Sequence, residues 1–224
     1  MSSILNIDTA MDVASVCLAK HGKALQLTTN ENQKDHAAWL HPSIAEILNH
    51  PGLAMRDIEA VAVSIGPGSY TGLRVGLSTA KGLCYAMNIP LITINTLEMM
   101  AFAVKEVADE LICPMIDARR MEVFAAAYDK ILQPVISPQV MNMDNNNFAR
   151  LLSSHKVLFC GSGSKKLQAI ISDSNAVFSN TVGNASHLGP LSHNYFCKEE
   201  FSDLVYTEPM YLKEFYSPVR KPLL

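Results

Sequence analysis

The first thirty residues carry three apolar runs, over 4–8, 13–19 and 23–29, which are separated by short polar spacers. The first spacer covers 9–12, and the second contains a His-Gly pair at 21–22, which is typical of a tight turn. Runs of this length with such spacers predict three strands in an antiparallel meander.

After the meander, the apolar period changes to steps of three and four residues. Leu40 and Ile44 fall on one such stripe, which predicts a helix over 38–49. Pro42 lacks an amide proton, so we expect it near the first turn of this helix or at a kink. The Pro-Gly pair at 51–52 is expected to end the helix.

A run over 58–65 contains almost no polar residue, as in a strand that is buried on both faces. A glycine-rich loop over 66–74 follows directly and leads into a predicted helix over 73–87. A further strand is predicted over 91–94. A strand, a helix and a strand with short joints form a parallel crossover unit.

The pattern then begins again. A helix is predicted from Thr96, its candidate N-cap, to Val107. A strand that ends in Asp117 follows, as the first strand ends in Asp8, and it opens a second hairpin. The remaining predictions are a strand over 122–128, an irregular stretch over 133–147, a helix, a strand over 156–160, a second helix after a Gly-Ser turn, a last helix near 185–200, and an extended tail over 206–212.

This weak duplication of pattern predicts an α/β protein with two similar lobes. We divide the chain at residues 1–99 and 100–224, and the tail over 206–212 is a candidate to pack back on the first lobe. The first lobe contains the glycine-rich loop and the helices on either side of it.

Charge and composition limit the classes of function that the chain could have. The chain has 224 residues, of which 49% are hydrophobic and 17% charged, and its net charge is −3. Such a balance favours a globular protein with an apolar contact face and gives no electrostatic basis for binding nucleic acid alone. Contact with RNA would need a local basic patch or a more basic partner.

Two further features indicate the compartment. The N-terminal segment lacks the basic start and long apolar run of a signal peptide, and no segment reaches the ~20 apolar residues of a membrane span. The five cysteines are scattered, which is typical of small core residues rather than of disulfides or zinc ligands. We therefore expect a cytoplasmic protein without a membrane segment.

The glycine-rich loop is the first candidate for binding chemistry. It joins a buried strand to a helix N-terminus, where free amides and the helix dipole attract anions. Gly66 and Gly68 allow close backbone approach, and Ser69 and Thr71 add hydroxyl groups, so these four are candidate nucleotide contacts. The loop has neither the Walker A nor the dinucleotide pattern. The alternative is that the glycines only form a tight turn.

Asp8 and Thr9 are the second candidate, because a carboxylate at the carboxyl end of a strand is well placed to hold a metal or a water beside a phosphate. Phosphate-binding hairpins of the actin type usually carry glycine in this turn, and 9–12 contains none. Asp8 and Thr9 are equally well explained as turn caps. The Gly-Ser-Gly-Ser segment at 161–164 is best explained as a plain strand-to-helix turn, and Lys165 and Lys166 as a solvated helix start.

No catalytic or metal-binding residue is predicted. None of the seven histidines is three or four residues from another, and there is no His-Glu-x-x-His or Gly-x-Ser-x-Gly pattern. The chain therefore offers binding features without a complete set of acid, base and nucleophile.

Several segments resemble the TsaB (YeaZ-type) family of tRNA threonylcarbamoyladenosine biosynthesis. The longest and most specific is Gly-Pro-Gly-Ser-Tyr-Thr-Gly-Leu-Arg at 66–74. The others are Ile7-Asp8-Thr9, Asp35-His36, Ile116-Asp117-Ala118-Arg119 with Glu122-Val123, and Glu208-Pro209-Met210-Tyr211-Leu212. The stretch from about 133 to 205 carries little resemblance.

The resemblance implies an actin-like, two-lobed fold with mixed sheets, flanking helices and duplicated ribonuclease-H-like lobes. It implies a non-catalytic scaffolding and dimerisation subunit. The catalytic paralogue, TsaD, would transfer threonylcarbamoyl to the adenosine beside the tRNA anticodon, and a TsaE-like ATPase would assist. The chain alone would form a homodimer, bind no cofactor and meet tRNA only indirectly. ATP or ADP with Mg²⁺ remains a candidate for the interface of the complex.

In this family the helices that flank the glycine-rich loop pair with those of the partner. The candidates for that contact are Leu40, Ile44, Leu73, Leu77 and Met87, and the alternative is that these side chains bury against the chain's own sheet. Two other functions stay open at this point. One is a stand-alone ATPase of the actin and sugar-kinase type, and the less favoured one is an M22-type metallopeptidase.

Overall fold

Two five-stranded mixed sheets form the framework of the computed structural model, which describes residues 2–32, 35–49, 54–143 and 148–213. The first sheet has the order β3-β2-β1-β4-β5 and the second the order β10-β9-β6-β7-β8. The strands of the first are β1 (Ser3–Asp8), β2 (Ala14–Lys20), β3 (Lys23–Asn30), β4 (Ala60–Gly66) and β5 (Leu91–Asn95). Those of the second are β6 (Leu111–Asp117), β7 (Glu122–Tyr128), β8 (Pro134–Asn142), β9 (Val157–Cys160) and β10 (Ala176–Ser179).

The helices occupy equivalent places in the two halves. They are α1 (His36–Leu48), α2 (Tyr70–Met87), α3 (Thr96–Val104), α4 (Ala149–Leu152), α5 (Ser164–Gln168) and α6 (Ala185–Cys197). In each sheet the first three strands pair antiparallel, and the fourth and fifth lie parallel to the first. The duplicated, actin-like α/β fold expected from the sequence is confirmed.

The first sheet is buried on both faces except at its edge strand β3, whose residues are exposed or half-buried. On one face Leu5 and Ile7 of β1 pack with α1 and α2, and on the other Ile4 packs with α3 and α6. Helix α6 therefore returns from the second half of the chain to the first sheet. Its Ser192 donates a hydrogen bond to the buried Asn6 of β1 at 2.7 Å.

Three local predictions are corrected. The stretch expected to be irregular contains the edge strand β8, whose pairing with β7 shifts between Ile136 and Gln139, so that Pro138 falls at a bulge where its missing amide is tolerated. The short strand β10 was not predicted. The N-cap of α3 is Asn95, whose side chain accepts the amide proton of Leu97, rather than Thr96.

The Pro-Gly pair at 51–52, expected to end α1, lies outside the described residues. Within the described ranges, none of the helices has the length and apolarity needed to cross a membrane.

Candidate functional site

The turn after β1 and the glycine-rich loop after β4 meet at one edge of the first sheet, because β1 and β4 are parallel neighbours. Asp8 is fully buried there, and one of its carboxylate oxygens accepts hydrogen bonds from Ser64 Oγ at 2.5 Å and from the Ala10 amide at 3.1 Å. Its other oxygen has no hydrogen-bond partner among the described residues. Burial raises the pKa of Asp8, against the effects of these two bonds and of nearby His36.

Polar groups of the glycine-rich loop form hydrogen bonds with the turn after β1. The Ser69 amide donates to the carbonyl oxygen of Ala10 at 2.7 Å, and the Thr9 hydroxyl donates to that of Gly72 at 2.7 Å. The Ser69 side chain caps α2 by accepting the Gly72 amide proton at 3.2 Å. Thr71 lies exposed on the first turn of α2. The structure thus brings the candidate nucleotide contacts of the two turns together, but Asp8, Thr9 and Ser69 already form hydrogen bonds with other groups of the chain.

Two glycines of the loop are required by this close approach. A Cβ atom at Gly68 would overlap the carbonyl oxygen of Ala10, and one at Gly72 would overlap that of Thr9. The chain's own backbone therefore occupies the space that glycine makes available. This geometry supports the tight-turn interpretation over a phosphate cradle.

The tail covers the outer side of the loop. The Met210 amide donates to the carbonyl oxygen of Ile65 at 2.8 Å, and a Cβ atom at Gly66 would lie 2.6 Å from the carbonyl oxygen of Met210. The Arg74 guanidinium lies 4.1 Å from the centre of the Tyr70 ring and donates from Nε to the Tyr211 hydroxyl at 2.9 Å.

The same tail runs along the edge of the first sheet. Lys81 Nζ of α2 donates to the carbonyl oxygens of Val205 at 3.1 Å and Thr207 at 2.8 Å. The Ser202 amide donates to the carbonyl oxygen of Leu91 on β5 at 2.8 Å. Sequence reasoning missed the roles of Lys81 and Tyr211, because no local pattern links α2 to a segment so distant in the chain.

The second sheet carries an equivalent edge, where the turn after β6 meets the turn after β9. The Asp117 carboxylate receives Lys166 Nζ at 2.6 Å and the Arg119 amide at 2.6 Å, and the Asp117 amide donates to Ser162 Oγ. Partial burial acts to raise the pKa of Asp117, but the bonds from Lys166 and Arg119 lower it below its ordinary value. Lys166 is thus an ion-pair partner rather than only a solvated helix start.

The candidate partner contacts lie mostly inside the first lobe. Leu40, Ile44, Leu73 and Leu77 are buried in the chain's own core, and Met87 is half-buried against it. This is the alternative that the sequence left open, since an amphipathic helix turns its apolar stripe to its own sheet. The exposed positions of the same helices are Ala37, Ala38, His41, Pro42, Ala45, Glu46, Thr71, Arg74, Ser78, Gly82, Tyr85 and Ala86.

The cysteines are all free thiols, and Cys17, Cys84, Cys113 and Cys160 are buried, as expected for core residues. Burial raises the pKa of Cys84 to about 11, which keeps this thiol protonated at neutral pH. The expectation is wrong for Cys197, which is exposed. The described residues contain no group of three His, Cys, Asp or Glu side chains that would hold a metal ion.

A model of the family described as TsaD, tRNA N6-adenosine threonylcarbamoyltransferase, matches residues 27–188 of the chain. The chain belongs to this family. The match includes the glycine-rich loop between β4 and α2 and all five strands of the second sheet, but not the turn after β1.

Within the family, the chain resembles the TsaB proteins. It is 31% identical over 140 residues to the Bacillus subtilis tRNA threonylcarbamoyladenosine biosynthesis protein TsaB, and the aligned residues are 61% of each chain. It is 38% identical over 124 residues to TsaB of Haemophilus influenzae, or 54% of this chain and 52% of that one. The matches therefore span less than two thirds of these relatives' lengths.

The solved structure of YeaZ from Pseudomonas aeruginosa superposes with a TM-score of 0.83 and 25% sequence identity, over 95% of this chain and all of that one. A second Pseudomonas aeruginosa structure, an uncharacterized protein with similarity to peptidase YeaZ, gives a TM-score of 0.84 at the same identity. Sequence and structure thus agree, and the resemblance to the TsaB, or YeaZ, type is confirmed.

Proposed function

We propose that this chain is a non-catalytic partner subunit in the biosynthesis of tRNA threonylcarbamoyladenosine. The catalytic step, in which threonylcarbamoyl is transferred to the adenosine beside the anticodon, would belong to a TsaD-type paralogue. The observation that carries the proposal is the closed state of the first sheet edge, where Ser69 donates to Ala10 and Thr9 to Gly72. The backbone and side-chain groups that would bind a phosphate already form hydrogen bonds within the chain.

The proposed docking surface consists of the exposed faces of α1 and α2. We define it by Ala37, His41 and Ala45 of α1 and by Ser78, Gly82 and Tyr85 of α2. Most of these side chains are small, and a Cβ atom at Gly82 would meet nothing within 4 Å. Small side chains let a second helix pair approach closely, because the distance between packed helices depends on the residues at the contact.

Tyr85 supplies the anchor of this surface. Its side chain is 82% exposed, although large aromatic residues tend to be buried or to lie in interfaces. The core residues Leu73 and Leu77 act beneath the surface and hold α2 on the sheet. The occupant we propose is the equivalent helix pair of the TsaD-type paralogue, or of a second copy when the chain is alone.

The proposal also covers the other components of the assembly. A TsaE-like ATPase would join the pair, tRNA would be held mainly by the partner, and ATP or ADP with Mg²⁺ would bind at the interface and not to this chain alone. The complex would work in the cytoplasm.

Co-purification with the TsaD-type paralogue tests the docking surface. Ala45→Arg and Gly82→Arg each place a long cation on the surface and should abolish the complex, whereas Ala169→Arg, at an exposed site in the second lobe, should leave it intact. Charged residues at Leu73 or Leu77 would disrupt the core and are unsuitable as probes. A complex that tolerates both surface variants contradicts the proposal.

The nucleotide part is tested by calorimetry on the isolated chain with ATP and Mg²⁺. We expect no binding and no turnover. Submillimolar binding with hydrolysis would instead support the stand-alone ATPase, and stoichiometric zinc or iron would support the metallopeptidase.

A further inference from the structure

The turn between β6 and β7 holds three consecutive residues in the left-handed region. Arg119, Arg120 and Met121 have φ values of 66°, 48° and 56°. Such a conformation costs roughly 1–3 kcal/mol for a residue other than glycine and persists only where the surroundings fix it. Here it is fixed by bonds from the Glu122 amide to the Arg119 carbonyl oxygen at 2.9 Å and from the Met143 amide to that of Met121 at 2.8 Å.

This turn displays its side chains outward. Arg119 and Arg120 are exposed, and Met121, the last residue of the turn before β7, is 53% exposed. Strained backbone is characteristic of functional sites, where it presents particular groups. In this turn the groups presented are two guanidinium ions.

Two lysines from other segments, Lys166 and Lys213, pair with carboxylates beside the two arginines, and Lys165 precedes Lys166 in the chain. Lys166 Nζ lies 2.6 Å from the Asp117 carboxylate and also donates to the carbonyl oxygen of Glu122 at 3.2 Å. Lys213, from the tail, pairs with the Glu122 carboxylate. Lys165 is exposed next to Lys166 at the start of α5. We call this set, Arg119, Arg120, Lys165, Lys166 and Lys213, the basic surface.

The charge of the basic surface opposes that of the chain. Among the described residues, the carboxylates of Asp117 and Glu122 contact this surface, and each is paired with one of its lysines. Arg120 also interacts within the chain, so the positive excess rests on the exposed Arg119 and Lys165. The carboxylates thus hold lysines in place and leave a local positive excess in a chain whose net charge is −3. The exposed Ser162, beside Asp117, adds a hydroxyl group.

We propose that the basic surface contacts the phosphate backbone of RNA directly. Phosphate contacts are made by arginine and lysine together with hydroxyl groups, and they position the nucleic acid without reading its sequence. Arginine adds planar, bidentate bonding to phosphate oxygens. The cations come from a turn, a helix and the tail, so they form a spread surface that suits a run of phosphates better than a single acidic side chain. With the proposed function, on which this inference rests, the RNA is tRNA.

The test is fluorescence anisotropy of a labelled, unmodified tRNA transcript with the complex of this chain and its TsaD-type paralogue, over a range of salt concentrations. Arg119→Gln with Lys165→Gln removes two charges from the basic surface and leaves the lysines that pair with Asp117 and Glu122. Arg120 interacts within the chain and is left unchanged. We expect about tenfold weaker binding and a salt slope smaller by about 1 to 2, as for the loss of two phosphate contacts.

The matched control is Lys20→Gln with Lys23→Gln, which removes the same charge from the turn between β2 and β3, at the opposite end of the first sheet from Asp8. It should bind tRNA as the wild type does. Equal affinity and salt slope in the two double variants would overturn the proposal, as would tRNA binding undetectable with the wild-type complex.

Assembly is measured in parallel, so that failures can be told apart. Both double variants should form the complex with the paralogue, because neither alters α1 or α2. If the basic-surface variant loses the complex, the surface is a protein contact and the RNA proposal is wrong. If the wild type forms no complex, the proposed function fails, and anisotropy with the isolated chain still decides whether the basic surface binds RNA.

Discussion

The backbone of Gly72 lies so close to the carbonyl oxygen of Thr9 that a Cβ atom at position 72 would overlap it. This approach joins the start of α2 to the turn after β1, and the Thr9 hydroxyl reinforces it by donating to the Gly72 carbonyl oxygen. The position of α2, and with it the proposed docking surface, therefore depends on a glycine whose role is to allow two backbone segments to touch.

Gly72→Ala should lower the free energy of unfolding by about 1–3 kcal/mol, because the added methyl group forces the two segments apart. Gly82→Ala is the matched control on the same helix, since a Cβ atom there meets nothing within 4 Å. It should stabilise the chain by up to about 1 kcal/mol through helix propensity. Urea unfolding of both variants measures the difference, and equal effects would contradict the packing argument.

Ser192→Ala should cost about 1–3 kcal/mol, because it leaves the side-chain oxygen of the fully buried Asn6 without its donor. The same substitution at the exposed Ser174 should change the stability by less than about 0.5 kcal/mol. Thermal or urea unfolding provides the comparison. If Ser192→Ala and Ser174→Ala change the free energy of unfolding equally, the bond between α6 and β1 contributes little to the packing of α6 on the first sheet.

The sequence predicted those features that depend on local periodicity. The apolar run of β4 and the stripe through Leu73 and Leu77 were sufficient to place a buried strand and the helix after it. The same stripe misled the choice of partner contacts, because periodicity shows that a face is apolar but not which surface covers it. Only the structure shows that this face packs on the chain's own sheet.

Long-range contacts were beyond the reach of the sequence. Lys166 appears in the sequence as one half of a solvated pair, and its bond to Asp117 requires the parallel pairing of β6 with β9. The edge strand β8 was missed because Pro138 is unfavourable in a strand, and the bulge that accommodates it is a property of the pairing with β7.

Asp8 should make stability depend on pH in a direction opposite to that of most carboxylates. Its pKa is raised in the folded state, mainly by burial, above the ordinary value of 3.8. The folded protein therefore binds this proton more tightly than the unfolded chain does. The stability that Asp8 contributes is fully present below its ordinary pKa of 3.8. It is lost as the pH rises from there through the raised pKa of the folded state.

Asp8→Asn mimics the protonated acid and should remove this dependence. Its side-chain oxygen can still accept the bonds from Ser64 and Ala10. Relative to the wild type, the variant should gain stability as the pH rises from acid to neutral. Urea unfolding across this range is the measurement, and Asp109→Asn, at an exposed carboxylate, is the control. A difference between wild type and Asp8→Asn that does not change with pH would contradict a raised pKa.

Lys81→Met should release the tail without unfolding the chain. It removes the bonds from Nζ to the carbonyl oxygens of Val205 and Thr207, while methionine keeps an unbranched, flexible side chain at this position of α2. Amide hydrogen exchange over 202–211 should become faster, because local opening no longer breaks these two bonds. The global free energy of unfolding should change by less than about 1 kcal/mol, since the tail lies on the edge of the sheet.

Lys105→Met, which alters a lysine over the Phe102 ring, is the control and should leave tail exchange unchanged. Unaltered exchange in the Lys81 variant would mean that the Arg74–Tyr211 contact and the Met210 bond hold the tail by themselves.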